Sequence, residues 1–276
     1  MTQLNLKLWG VMGSTPGATS PTLLKYGTNT SCVSVEYEDE LVIFDAGTGI
    51  VQLASYLNAK ELPKHIHLFI SHYHYDHIQG LPFFNLVFNP QVNMTIYGMR
   101  HKLLSVKDVL DRFFLDPFSP IGLKYMQASI QFVTIDSEEE FIINDRLRVN
   151  SYFVTHPYGS MVYRIDSTNG SICYISDFEY NEIDHANLTL FCQRSDAIIY
   201  DSFFSENELH SSKYRGWGHS SAAMGALLAK ESCSKKLFLF HHSINRSEEG
   251  FKELITEARS IFPNTELARE GTSLTV

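Results

Sequence analysis

Leu4, Leu6 and Leu8 alternate with polar residues, the period of a half-buried strand. Residues 32–37 and 41–44 read as two more strands, separated by the acidic turn Glu38-Asp39-Glu40. Residues 10–19, rich in Gly, Ser, Thr and Pro, read as a loop. Asp45-Ala46-Gly47-Thr48-Gly49 is a tight glycine turn that opens an amphipathic helix, with Ile50, Leu53 and Leu57 on one face. The run 66–70 is apolar on both faces, as a fully buried strand requires. Further strands are predicted near 94–97, 130–135, 147–154, 161–165, 172–175, 197–200 and 237–240. A helical period covers 102–114, followed by a loop at 116–120. It returns over 220–231, with Ala223, Leu227 and Leu228 inward. A last helix is predicted from Asn245 to about Phe262, with Glu248 placed to complete a capping box. Many strands come early, then strands alternate with helices, without linker or repeat. That order predicts a layered α/β fold, a single domain over 1–276, with sheets face to face and helices outside.

Composition narrows the class. The chain has 276 residues, 44% hydrophobic and 19% charged, enough for a substantial core. The start Met1-Thr2-Gln3-Leu4-Asn5-Leu6 lacks the basic and apolar regions of a signal peptide. No apolar run is long enough to span a bilayer. Cys32, Cys173, Cys192 and Cys233 are far apart and read as reduced thiols of a cytoplasmic protein. The net charge of −9 and the lack of any Lys/Arg run argue against extensive nucleic-acid contact. The densest basic spots are Lys235-Lys236 and Arg146-x-Arg148. One small anionic substrate remains compatible, since divalent ions would dominate the local field.

The chemistry concentrates in His72-Tyr73-His74-Tyr75-Asp76-His77, just past the strand 66–70. Residues two apart in an extended segment share a side, so His72 and His74 can reach one metal ion. Asp76 and His77 fall where a helix is predicted to begin and can reach a second ion beside it. Imidazole and carboxylate suit Zn²⁺ and its first-row neighbours, Mn and Fe included. Chance yields such a motif in roughly one of a thousand chains like this. Three further candidates each follow an apolar strand: His156, Asp177 and His241, with His242 as the alternative to the last. The other histidines, His65, His67, His101, His185 and His210, have no partner spacing and read as structural or surface residues.

These motifs resemble the metallo-β-lactamase-fold hydrolases, in the branch of ribonuclease Z and the small cyclic phosphodiesterases. Trp9-Gly10-Val11-x-Gly13-Ser14-Thr15-Pro16 is similar to that branch's opening loop, and Asn29-Thr30-Ser31-Cys32 and Asp45 to Gly49 to its next two motifs. His156-Pro157-x-Gly159-Ser160, Ser176-Asp177, Gly218-His219-Ser220-Ser221 and Phe240-His241-His242 complete the likeness. The resemblance implies a four-layer αββα sandwich and two divalent ions, zinc foremost. His72, His74 and His156 would hold the first ion. Asp76, His77 and His241 would hold the second, and Asp177 would bridge. A water shared by the ions would lose its proton near neutral pH and attack as hydroxide. His219, oriented by Asp201, would then protonate the leaving oxygen. Asp201 stands where glutamate is common in the family. Asp45 and Thr48 are expected to orient a ligand histidine, and Asn29, Ser31 and Ser160 to contact phosphate.

Ribonuclease Z carries a long tRNA-gripping arm between its third histidine and bridging aspartate. Here 20 residues separate His156 from Asp177, enough for a hairpin. The expected substrate is therefore a small or cyclic phosphodiester. The stretch 83–120 is expected to form one wall of the cleft, and Leu81-Pro82-Phe83-Phe84 to be core beneath the metal helix. Competing readings are a thioester or lactam hydrolase on the same metals, a ribonuclease Z-like endonuclease, a mono-iron sulfur oxidoreductase and a non-catalytic ligand sensor. The oligomeric state stays open, a homodimer included.

Overall fold

Two seven-stranded sheets pack face to face in the computed structural model of the protein, which describes residues 2–17, 20–117, 119–214 and 216–276. Residues 18–19 of the first expected loop and residue 118 of the second lie outside the described residues. The first sheet holds β1 (Asn5–Gly10), β2 (Cys32–Tyr37), β3 (Glu40–Phe44), β4 (His65–Ile70), β5 (Asn93–Met99) and β6 (Ser129–Ile135). The second holds β7 (Glu140–Asn144), β8 (Leu147–Val154), β9 (Ser160–Ser167), β10 (Ser171–Ile175), β11 (Ala197–Asp201), β12 (Leu237–Phe240) and β13 (Thr265–Leu267). The last strand, β14 (Ser273–Thr275), returns to pair with β1. Strands β3 to β6 run parallel, as do β10 to β13, so each sheet directs several strand ends toward one rim.

The apolar strands are apolar on both faces because each sheet is covered twice. On β3, Val42 and Phe44 enter the core between the sheets. Leu41 and Ile43 instead meet Ile50, Leu53 and Leu57 of the helix Gly49–Leu57. On β10, Ile172 and Tyr174 face the first sheet. Cys173 and Ile175 face Leu188, Ala226 and Leu254, from helices Glu182–Phe191, Ala222–Glu231 and Glu248–Ile261. This is the αββα order. Aromatic rings tie the sheets together: Phe44 stacks on Tyr163 and Tyr174 at centroid distances of 5.6 and 5.3 Å. Tyr163 also donates to the carbonyl of Ile70 at 2.7 Å.

Local chemistry moves some boundaries. The helix expected over 102–114 spans Val106–Phe113, because Ser105 and Asp108 form a reciprocal capping box that fixes its start. The last helix begins at Glu248, not Asn245, since the Ser247 hydroxyl accepts from Gly250 N–H. The helix Glu182–Phe191 was not anticipated. It buries only His185 and Leu188 and leaves Ile183 and Leu190 exposed, which erases the periodic signal. Phe83 also leaves the expected core: Leu81 and Phe84 are buried, but Phe83 is 69% exposed.

His67 on β4 is buried against Tyr97 and Glu40, 3.2 Å from the carboxylate. Burial, with His65 beside it, pulls its imidazole down to about 3. Burial also pushes the Glu40 carboxyl up, so the pair behaves as a hydrogen bond more than an ion pair. A folded value below the unfolded one contributes stability above pH 6.5 that is lost as pH falls toward 3. His67→Gln is therefore expected to flatten the acid side of the stability profile, by about 3 kcal/mol at pH 4. Urea unfolding of both proteins from pH 7 to pH 4 reads the difference. Parallel profiles would contradict it.

Candidate metal centre

The polar side chains of the site gather at the rim where the parallel strands end, the usual place for a ligand in such sheets. Asp45 follows β3, His72 to His77 follow β4, Asp177 follows β10 and His241 follows β12, while Asp201 is the last residue of β11. His156 arrives from β8. Asp45, Asp177 and His241 take left-handed backbone angles, with φ of 62°, 46° and 59°. Asp and His tolerate that region better than most residues, and the turn swings each side chain off its strand axis into the cleft.

Two clusters result. In one, His74 Nδ1 lies 2.8 Å from His72 Nε2 and 3.1 Å from His156 Nε2. Asp177 Oδ2 is 3.5 Å from His72 Nε2 and 3.7 Å from His156 Nε2. In the other, Asp177 Oδ1 is 3.4 Å from His77 Nε2 and 3.0 Å from His241 Nε2. Asp76 Oδ2 is 3.3 and 3.1 Å from those same nitrogens. Asp177 thus offers one oxygen to each cluster. A tetrahedral zinc with bonds of about 2.1 Å separates its ligand atoms by about 3.4 Å, and these spacings bracket that value.

The protonation pattern also fits cations. Burial, reinforced by neighbouring imidazoles, keeps His72 and His74 low and brings His156 down to about 4, so these rings present lone pairs. In the second cluster burial is outweighed. Asp76 and Asp177 hold His77 well above its ordinary value, and Asp177 with Asp76 lifts His241 to about 10. Two buried carboxylates demand positive charge, which protons on these rings or a divalent ion can provide. His77 Nε2 is buried and has no hydrogen-bond partner among the described residues. The donor set therefore fits two divalent ions.

The outer contacts fix ring orientation. His156 Nδ1 donates to the carbonyl of Gly218 at 2.7 Å, leaving Nε2 for the cluster. A Cβ on Gly218 would sit 2.3 Å from that ring, and Gly218 has φ of +83°, so only glycine fits. His77 Nδ1 donates to Asp45 Oδ2 at 2.7 Å. Asp45 also accepts from Ser71 N–H, Ser71 Oγ and Tyr174 OH, a fully satisfied buried carboxylate. Asp45→Asn is expected to weaken metal affinity 10- to 100-fold, roughly the usual cost of losing such a contact. Titration against a chromogenic chelator measures it, and wild-type affinity would count against Asp45 as an orienting group.

Thr48 stands elsewhere: its hydroxyl and N–H pair reciprocally with Thr30. Asn29 likewise turns to Glu270, which accepts from its N–H and its amide, so it does not reach the cluster. Ser31 and Ser160 are fully buried, their hydroxyls without hydrogen-bond partners among the described residues. His242 points away and donates to the carbonyl of Ala268, whereas His241 joins the cluster. Asp201 accepts from His219 Nδ1 at 3.0 Å, and the His219 ring stacks on Phe203 at 4.3 Å. Together with Asp177 and His241 they form a third polar group beside the two clusters. Nothing in the sequence singles out four contributors, of which Ser71 is one. Ser14 N–H donates to Asp76 at 2.7 Å, Tyr174 binds Asp45, and Phe203 covers His219. Ser14 lies in the quoted opening loop, but nothing in sequence aims an N–H.

The β-lactamase superfamily domain matches residues 41–242, which carry every residue of the two clusters. The chain belongs to this superfamily. It is a metal-dependent hydrolase with the metallo-β-lactamase fold, in the ribonuclease Z branch. Ribonuclease Z of Ligilactobacillus salivarius strain UCC118 is 26% identical over 92% of each chain. Among solved structures, the metallo-β-lactamase fold protein YhfI from Bacillus subtilis superposes over 100% of each chain, with a TM-score of 0.75 and 18% identity. A diphosphatase from the PhnP family covers 98% of this chain and 97% of its own, with a TM-score of 0.70 and 19% identity. Among the described residues, no helix of this hydrolase is long and apolar enough to cross a membrane. Cys32, Cys173 and Cys192 are buried, Cys233 is exposed, and all four are free thiols.

Proposed function

We propose that this hydrolase is a phosphodiesterase that holds two divalent ions, most naturally zinc, and cleaves a small or cyclic phosphodiester. His72, His74 and His156 would hold one ion and Asp76, His77 and His241 the other, with Asp177 offering an oxygen to each. When bound, the ions supply an activated water and a Lewis acid for the phosphoryl oxygens. The chain's own residues do the rest. Asp201 accepts a hydrogen bond from Nδ1–H of His219, which turns the Nε2–H of that ring toward the departing oxygen as the proton donor. Phe203 fixes the plane of that ring from one side.

The observation that carries this reading is the buried Asp201–His219 pair beside the cluster, at 3.0 Å. A thioester releases a thiolate, which leaves unprotonated and needs no such donor. Two features support a small substrate. The segment between His156 and Asp177 is spent on the β9–β10 hairpin within the sheet, leaving nothing to reach out to a tRNA. The densest basic residues are all paired: Lys235 with Asp196, Lys236 with Glu266, Arg146 with Glu38 and Arg148 with Glu140.

One observation favours a second reading, an RNA phosphodiester: the 26% identity to a ribonuclease Z over nearly the whole chain. Metal quantification followed by turnover separates them. The expected result is two ions per chain and faster hydrolysis of bis(p-nitrophenyl) phosphate and cyclic nucleotides than of thioesters or a precursor tRNA. Preferred cleavage of the precursor tRNA would establish the RNA reading. One iron per chain would sink both.

A further inference from the structure

The one-turn helix Tyr75–Ile78 has two working faces. Asp76 and His77 turn inward to the cluster and are buried. Tyr75 turns outward and, with Gln79 four residues on, lines a cavity of about 490 Å³, while the Gln79 amide donates to Thr30 at 3.2 Å. Phe83, Phe113, Ile121 and Arg112 form its other walls. Tyr75 is 73% exposed and Phe83 is 69% exposed, high values for large aromatic rings on one patch. Tyr75 and Phe113 lie 6.2 Å apart, centroid to centroid. Arg112 closes the helix Val106–Phe113, and its guanidinium has neither ion pair nor hydrogen bond among the described residues. Arg194 and Arg269 also lack ion pairs among the described residues, but Arg112 is the guanidinium that lines this cavity beside the exposed rings of Tyr75 and Phe83.

We infer that this cavity is a specificity subsite that takes a nucleobase carried by the substrate ester. The chemistry matches on each count. Flat aromatic walls stack on a base, Arg112 offers donors to its carbonyl or ring-nitrogen edge, and the volume lies in the range of small-ligand pockets. Tyr75 is flanked in the chain by His74 and Asp76, one from each cluster, so the cavity and the clusters share this one-turn helix, and a helix is about 10 Å across. That is the reach from a phosphoryl group across a ribose to its base. A cyclic ribose phosphate without a base leaves the subsite empty and is a poorer substrate. The inference rests on the phosphodiesterase reading and narrows it to nucleoside-bearing diesters.

The test compares two esters with the same leaving group, thymidine 5′-(p-nitrophenyl phosphate) and methyl p-nitrophenyl phosphate. Phe83→Ala, remote from the metal ligands, is expected to lower kcat/KM on the nucleotide ester roughly tenfold, the scale of one lost stacking contact. The methyl ester is expected to stay within about twofold, and Phe83→Trp to restore the nucleotide ester. Equal losses on both esters, or none on the nucleotide ester, would overturn the assignment. Should the wild type cleave neither ester, calorimetry with thymidine 5′-monophosphate decides separately. Binding that weakens about tenfold in Phe83→Ala keeps the subsite while the phosphodiesterase reading falls. No binding overturns the subsite. A dinucleotide, thymidylyl-thymidine, is the last arm: a Phe83→Ala loss there alone supports the subsite but makes its occupant the end of a nucleic-acid chain.

Discussion

Asp177→Ala is expected to remove both ions and to lower turnover by a factor on the order of 10³. Asp177 is the one side chain with an oxygen in each cluster, within 3.7 Å of four imidazole nitrogens. On the two-ion proposal, losing it takes a charge from both ions at once. Its carboxyl is held well below the ordinary range: burial opposes ionisation, but His241 and His77 outweigh it. It is therefore an anion at any working pH and needs no metal to deprotonate it. Asp177→Asn is the sharper variant, because asparagine keeps the left-handed backbone (φ 46°) and the side-chain volume while deleting the charge. Metal content by atomic absorption and kcat on bis(p-nitrophenyl) phosphate should collapse together in both variants, with circular dichroism unchanged for the second. A full complement of ions and wild-type turnover in Asp177→Asn would remove this residue from the centre.

His219→Ala carries the second large effect, and its size should depend on the leaving group. A poor leaving alkoxide needs the proton that the proposed mechanism assigns to His219, so loss of general acid catalysis should cost roughly 10²–10⁴ in kcat. A p-nitrophenolate leaves unprotonated, so bis(p-nitrophenyl) phosphate should slow far less. Metal content should stay normal, since His219 is bound to Asp201 and to the face of Phe203, not at the centre of either metal cluster. A uniform loss across leaving groups would mean that His219 holds structure or substrate and gives no proton. Asp201→Asn should follow the same leaving-group pattern more weakly, because it changes the tautomer without removing the ring.

Much of this was legible in the chain because two rules are local. Strand alternation and strand length are set by neighbours, so β2 and β12 could be bounded from sequence alone. Side chains placed just past a buried strand must emerge at a sheet rim, which brought His156, Asp177 and His241 into consideration together. The rest depends on tertiary contacts. Thr48 sits in the same glycine turn as Asp45, yet only Asp45 meets a histidine, because its carboxylate is positioned by Ser71 and by Tyr174 from the opposite sheet. Asn29 was drawn off by Glu270, which is 241 residues away in sequence. Phe83 looked like core in an apolar run, and only the three-dimensional neighbours show one ring of that run facing outward.

The left-handed backbone at Asp45, Asp177 and His241 carries a lesson for anyone who would engineer this enzyme. Each such residue holds roughly 1–3 kcal/mol of conformational energy that glycine would release. That release comes with a loss of buried contacts, since glycine at Asp45 would leave Ser71, Tyr174 and His77 without their acceptor, so heat resistance alone is a blind guide at these positions. Selection for robustness in this scaffold has to be run with those sites frozen, or with catalysis as a second filter.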